Sequence, residues 1–276
     1  MNLLGIDFED WFHPELIQKN LDTKKKTPTV INGIDKILDW LRKNDTFATF
    51  FMVGELLEQK PELLDKILDG GHEIGFHTMT HSRLDSPNYV EKFENELIKF
   101  NKLTNGKSKG FRAPSFSLNH QTSWAIDTLS KNHYLYDSSI VPAKTRLYGV
   151  SNAEKKPYLI SSQSLEQNDP NGIITEFPLL TTKLFGKTIP SGGGFFVRVL
   201  PSFIFHKSIL NNNNNSIPAT LYIHSWELTP EYMPKIALSF LDNFVTYYNL
   251  KNTMKKMDDI IKKFNFTSFE RYMKTV

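Results

Sequence analysis

Apolar residues along the chain fall into two spacings that alternate. Short runs such as NLLGI (2–6), TFATFFMV (46–53) and HEIGFH (72–77) have the length and composition of buried strands. Between them the spacing lengthens. TVINGIDKILDWLRKN (29–44) sets Ile31, Ile34, Ile37, Leu38 and Leu41 three and four apart, on one side of a helix. PELLDKILDGG (61–71) opens a helix with Pro61 and stops it with Gly70 and Gly71. The pattern predicts further helices over 88–103 and 121–132, and strands over 109–113, 134–137, 173–177 and 220–224. Such alternation specifies parallel β structure, either an α/β barrel or a doubly wound sheet. Residues 138–200 break the rhythm, so long loops are expected there, and NNNNN (211–215) reads as a polar turn. From 229 onward the pattern is helical, with Pro230 near the first helix start and no linker that would set off a second domain.

Composition narrows the chemistry. A chain of 276 residues with 39% hydrophobic content can bury one large core. The 33 Lys and Arg against 30 Asp and Glu leave +3, and outside Lys24 to Lys26 and the pair Lys255 and Lys256 the lysines are scattered. No basic stripe points to nucleic acid. The absence of cysteine excludes disulfides, thiolate catalysis and cysteine-ligated zinc, and leaves His and carboxylate as the metal ligands. No run approaches the roughly 18 apolar residues of a membrane span, and the start lacks a basic segment followed by an apolar stretch of about seven residues. A soluble, cytoplasmic chain is expected.

In parallel α/β folds, reactive side chains gather at the carboxyl ends of strands. Asp7, Glu9 and Asp10 stand there in GIDFEDWFH (5–13), followed by HTMTH (77–81), RAPSF (112–116), YDSS (136–139) and HSWEL (224–228). His77 and His81, four apart, fall on one side of a helical turn and suit two metal ligands. A carboxylate from the end of the first strand would complete a His–His–carboxylate set with open positions, and a second beside it can serve as general base. Taken singly, each has an ordinary reading: packing histidines, solvated acids, or acids capping a helix.

Together these motifs resemble the polysaccharide deacetylase superfamily, the NodB-homology enzymes of carbohydrate esterase family four. Residues 48–84 resemble its second strand, helix and histidine motif, and GFRAPSFSL (110–118) its arginine motif. DFEDWFH, RAPSFS, YDSSIVP, PSGGGFFVR and YIHSWEL are similar to the subgroup associated with bacterial exopolysaccharide and surface-glycan gene clusters. The resemblance implies a single-domain deformed (β/α)7 barrel, with a motif core over about 1–228 and a C-terminal helical segment over about 229–276. It also implies metal-dependent removal of acetyl groups from N-acetylated sugars, with zinc, or else cobalt, nickel or iron, as the ion.

On that resemblance Asp7 would be the general base, His77 and His81 the imidazole ligands, and Arg112 the partner that holds Asp7 ionised. His224 would be the general acid and Asp137 the residue that orients it. Phe116, Phe196 and Trp226 would wall the sugar and its acetyl methyl, and Gly193 and Gly194 would form a loop packed over the substrate. The family commonly ends its first strand with two adjacent aspartates, base then ligand, whereas Phe8 and Glu9 separate Asp7 from Asp10 here. Alternation along an extended strand favours Glu9 as ligand; a turn after Asp7 favours Asp10, the shorter and harder donor, which is marginally preferred.

An N-deacetylase acting on a glycan or glycan precursor is therefore expected. The alternatives are hydrolysis of a cyclic amide or ureide on the same fold and a non-catalytic glycan-binding relative. A two-carboxylate glycosidase would leave His77, His81 and Arg112 without a use. The partner is an N-acetylated sugar; neither nucleic acid nor a membrane span is expected.

Overall fold

The computed structural model describes residues 1–21, 26–145 and 148–275. Lys24 and Lys25 of the basic triplet lie outside them. Seven parallel strands form the frame: β1 (Asn2–Phe8), β2 (Thr49–Met52), β3 (Glu73–Phe76), β4 (Gly110–Phe111), β5 (Tyr136–Asp137), β7 (Ile174–Glu176) and β10 (Thr220–His224), in the spatial order β10-β1-β2-β3-β4-β5-β7. The antiparallel strand β6 (Tyr158–Ile160) covers the edge beyond β7. A hairpin, β8 (Thr181–Leu184) and β9 (Lys187–Pro190), stands apart, and β11 (Phe266–Thr267) pairs with the first residues of β1.

The sheet curls into a partial barrel. Past β7 the Leu180 N–H donates to Thr220 O at 3.0 Å, and the Tyr222 N–H donates to Gly192 O at 2.7 Å, so loop backbone joins the two ends of the sheet. Here lies the reason for the glycine run. A Cβ on Gly193 would sit 1.7 Å from Tyr222 O, and Gly194 adopts φ 54°, a left-handed conformation that favours glycine. Gly193 and Gly194 pack against β10 and close the barrel. Their close contacts are with Tyr222 of β10, a packing role beside the loop over substrate that the sequence suggested.

Every residue of β1 is buried, as a parallel strand covered on both faces requires. Its period of two sorts the residues. Leu4, Ile6 and Phe8 enter the large core beneath the helices. Leu3 joins Phe51, Tyr136, Phe177 and Phe269 at the floor of the barrel. Gly5, one step up, leaves room for Arg112: a Cβ there would lie 2.6 Å from Nη1. Asp7 follows at the upper end, with His224 as its register partner on β10.

The C-terminal segment is part of this construction. It is mostly helical, as expected, but β11 interrupts it and Phe269 plugs the barrel floor, stacked on Tyr136 with ring centroids 5.5 Å apart. Two other readings change. The asparagine run is the last turn of the helix Ser202–Asn214, where Asn213 donates to Asn2 Oδ1 at 2.7 Å. The section 138–200 holds four short strands and the helix Phe195–Val199 in addition to loops. No helix among the described residues is long and apolar enough to cross a membrane.

Candidate metal centre and its cleft

Glu9, His77 and His81 converge at the carboxyl ends of β1 and β3, with one ligand atom from each lying within 4.8 Å of the others. Glu9 continues the inward alternation of β1, and Ser225 fixes it there: its hydroxyl accepts the Glu9 N–H at 3.1 Å and donates to Glu9 O. HTMTH is an irregular bend and forms no helical turn. Thr78 (φ 59°) and His81 (φ 57°) take left-handed conformations that fold His81 back towards His77, with ring centroids 5.0 Å apart. Such backbone outliers cost about 1–3 kcal/mol each and cluster at functional sites.

Two of the three donors, His77 and Glu9, are aimed from behind. His77 Nδ1–H donates to Arg112 O at 2.7 Å, which leaves Nε2 as the free lone pair. Burial pushes the His77 imidazole down to about 4, so the ring is neutral near pH 7. Glu9 Oε1 accepts the indole N–H of Trp226 at 2.9 Å. Glu9 Oε2 is buried without a hydrogen bond, 2.8 Å from His81 Nε2. Burial alone would raise the Glu9 carboxyl; the fields of His81, His224 and His77 outweigh it and hold the group well below the ordinary carboxylate range. An orphaned anionic oxygen beside two imidazoles fits a divalent cation of the kind that takes nitrogen and oxygen ligands.

Asp10 is not part of this group, which corrects the sequence preference. Its Oδ1 accepts N–H from Trp11 (2.9 Å) and Thr29 (3.0 Å), and its Oδ2 accepts N–H from Ile31 (3.1 Å). Beyond the end of β1 at Phe8, Glu9 shares the cleft with Asp7, while Asp10 is turned away from it and ties the following loops together.

Asp7 accepts from Arg112 Nη1 at 2.6 Å. Arg112 is fully buried, donates to Ser138 O and Oγ at 2.8 and 2.9 Å, and lies 4.1 Å from the centre of the Phe51 ring. His224 stands opposite, its ring parallel to Trp226 at 5.0 Å and its Nε2 3.7 Å from Glu9 Oε1. Its Nδ1 lies 2.6 Å from Glu227 Oε2. Burial opposes charge on His224, but Glu227, then Glu9 and Asp7, prevail and push its pKa up to about 9.

Asp137 therefore does not hold His224. It accepts from the Ser139 hydroxyl (2.6 Å) and N–H (3.2 Å) and faces Glu176, its register partner on β7. Burial raises both carboxyls, Glu176 well above its usual range. Sequence reasoning missed Glu227, although H-x-x-E at a helix start was a signal: the Glu227 side chain caps the N–H of His224 at 3.2 Å, at the head of the one-turn helix Ser225–Leu228.

These groups open into a cleft of about 210 Å³. Phe116, Tyr148, Phe195, Tyr222 and Trp226 form its apolar side, and Glu15, Lys19 and Arg83 its polar rim. Phe116 and Trp226 were anticipated; Phe195 lines the cleft where Phe196 was expected, because Phe196 turns into the large core.

Comparison with known proteins agrees with this architecture. Residues 28–132 match the family described as polysaccharide deacetylase, and residues 138–274 match a domain of unknown function, DUF3473. The polysaccharide deacetylase match covers 105 of the 276 residues, the part of the chain that carries His77, His81 and Arg112. It is 35% identical over 97 residues to a peptidoglycan-N-acetylglucosamine deacetylase of Bacillus cereus, covering 33% of this chain and 35% of that protein. It is 29% identical over 153 residues to the peptidoglycan-N-acetylmuramic acid deacetylase PdaA of Bacillus subtilis, covering 44% and 58%. In each case the match spans less than two thirds of the curated relative. Among solved structures, a putative polysaccharide deacetylase from Mycobacterium smegmatis shares the fold, with a TM-score of 0.59 and 14% identity over 100% of this chain and 90% of that one.

Proposed function

We propose that this chain is a metal-dependent hydrolase that removes the N-acetyl group from an amino sugar in a glycan or glycan precursor. The observation that carries the reading is the convergence of Glu9, His77 and His81, with Glu9 Oε2 buried without a hydrogen bond 2.8 Å from His81 Nε2, and with Asp7 and His224 in the same cleft. Glu9, His77 and His81 would hold a divalent ion, zinc by donor type, which supplies Lewis-acid polarisation of the acetamide carbonyl and acidifies water.

The chain's own groups do the rest. Asp7, held by Arg112 Nη1, takes the proton from the attacking water. His224, charged at neutral pH, gives a proton to the departing nitrogen, and the C–N bond breaks to leave acetate and a free amine. Phe116, Tyr148 and Phe195 offer apolar surface to the ring and the acetyl methyl.

Acetate release from N-acetylated oligosaccharides, assayed with protein stripped by chelator and then reloaded, tests the proposal. Activity is expected only after reloading, together with about one ion per chain lost in His77→Ala. Full activity in the stripped protein overturns the metal role. Turnover of a cyclic ureide in place of any N-acetyl sugar overturns the substrate class.

A further inference from the structure

Arg198 is almost wholly buried, and its donors divide between two elements. Nε donates to Glu227 Oε1 at 2.6 Å. Nη1 donates to Thr246 O (3.1 Å) and Tyr248 O (2.8 Å), and Nη2 to Val245 O (2.6 Å), the closing carbonyls of the helix Phe240–Tyr247. Val245 and Thr246 also line the cleft. One planar guanidinium thus joins a cleft wall to the carboxylate on His224.

We propose that Arg198 and Glu227 are a positioning pair: Glu227 holds a hydrogen on His224 Nδ1, so that the ring stays aimed with its Nε2–H at the substrate, and Arg198 fixes Glu227 while anchoring the wall helix. The assignment rests on reading His224 as the proton donor to the leaving nitrogen. Its logic lies in the donor inventory. Glu227 Oε2 accepts from His224 Nδ1 and from the His224 N–H, while Oε1 accepts from Arg198, which has no acceptor to offer in return. In Glu227→Gln the amide oxygen must face Arg198, so the NH2 faces Nδ1. That contact is satisfied only if Nδ1 gives up its hydrogen, which leaves a neutral ring with its remaining hydrogen on Nε2, a weaker acid towards the leaving nitrogen.

The nitrogen resonances of His224 read this directly, with no substrate present. Nδ1 is expected to carry hydrogen in the wild type and to lose it in Glu227→Gln. In the reloaded enzyme, kcat is expected to fall about 10²–10³-fold with KM and bound metal unchanged. If Glu227→Gln does not fold, Arg198→Lys carries the test. A lysine cannot meet Glu227 and three carbonyls in one plane, so KM should rise and kcat fall together as the wall and the carboxylate both loosen. Identical His224 resonances in wild type and Glu227→Gln, or a kcat within about twofold of wild type in both variants, overturn the proposal. If no preparation deacetylates any N-acetylated oligosaccharide, the functional reading fails while the resonances still decide the positioning.

Discussion

Trp226 donates its indole N–H to Glu9 Oε1, and the other oxygen of that carboxylate lies 2.8 Å from His81 Nε2. A residue expected only to wall a sugar therefore aims the carboxylate proposed to hold the ion. Trp226→Phe keeps an aromatic ring beside His224 and removes the hydrogen bond. We expect metal affinity to weaken about 10–100-fold, measured by competition with a chelator. An unchanged affinity would show that Ser225 alone orients Glu9.

Glu9 and Asp10 are neighbours with separate tasks, and paired amide variants distinguish them. Glu9→Gln should abolish stoichiometric metal while leaving the loops in place. In Asp10→Asn the amide can still accept from Trp11 and Thr29 but turns its NH2 towards the Ile31 N–H, leaving that buried donor unpaired. A loss of about 1–3 kcal/mol in denaturant unfolding is expected, with metal retained. Loss of metal in Asp10→Asn with Glu9→Gln still binding would reverse the assignment.

The sequence carried the frame because that frame is periodic: the spacing in β1 and in the helices at 34–43 and 89–103 is set by local geometry, and it survives folding. The inward line Leu3, Gly5, Asp7, Glu9 was likewise legible, and following it strictly selects Glu9 over Asp10. What escaped depends on contacts distant in sequence. The three N–H groups on Asp10 include those of Thr29 and Ile31, about twenty residues on, and no pattern in DFEDWFH announces them. Arg198 reaches carbonyls some fifty residues away, and the glycine run meets β10 only once the barrel curls. Strands of two to four residues, such as β8, β9 and β11, carry too little periodicity to be read.

His72 supplies a pH dependence away from the cleft. It lies between the Phe47 and Phe50 rings, its Nδ1 accepts the Ala48 N–H at 3.3 Å, and burial, helped by Arg271, pushes its pKa down to about 4. The unfolded chain protonates this ring near 6.5. Because the unfolded state binds the proton more readily, the contribution is fully present above about pH 6.5 and is lost as pH falls towards 4. His72→Asn keeps an acceptor but does not titrate. The difference in unfolding free energy between wild type and variant should change by on the order of 2 kcal/mol between pH 7 and pH 4. A constant difference across that range would count against the buried neutral imidazole.

The barrel floor and the site above it are mechanically joined through Phe51. Phe269 packs edge-on against Phe51 at 5.5 Å, and the Arg112 guanidinium that holds Asp7 lies over both rings, 4.1 Å from the centre of Phe51 and 5.9 Å from that of Phe269. Phe269 is itself placed by Glu73, which accepts N–H from Glu270 (2.9 Å) and Arg271 (2.8 Å) at the start of the last helix, and by Thr49, whose hydroxyl accepts the Phe269 N–H at 3.1 Å. Glu73→Gln should cost about 1–2 kcal/mol, as loss of an anionic cap does. Phe269→Ala opens a cavity beneath Phe51 and should cost about 3–5 kcal/mol. It should also lower kcat with metal still bound, since Asp7 and Arg112 lose their support while Glu9, His77 and His81 do not. Unfolding curves and metal content measured on the same variants check both halves; a destabilised Phe269→Ala with wild-type kcat would mean that the floor bears load without positioning the base.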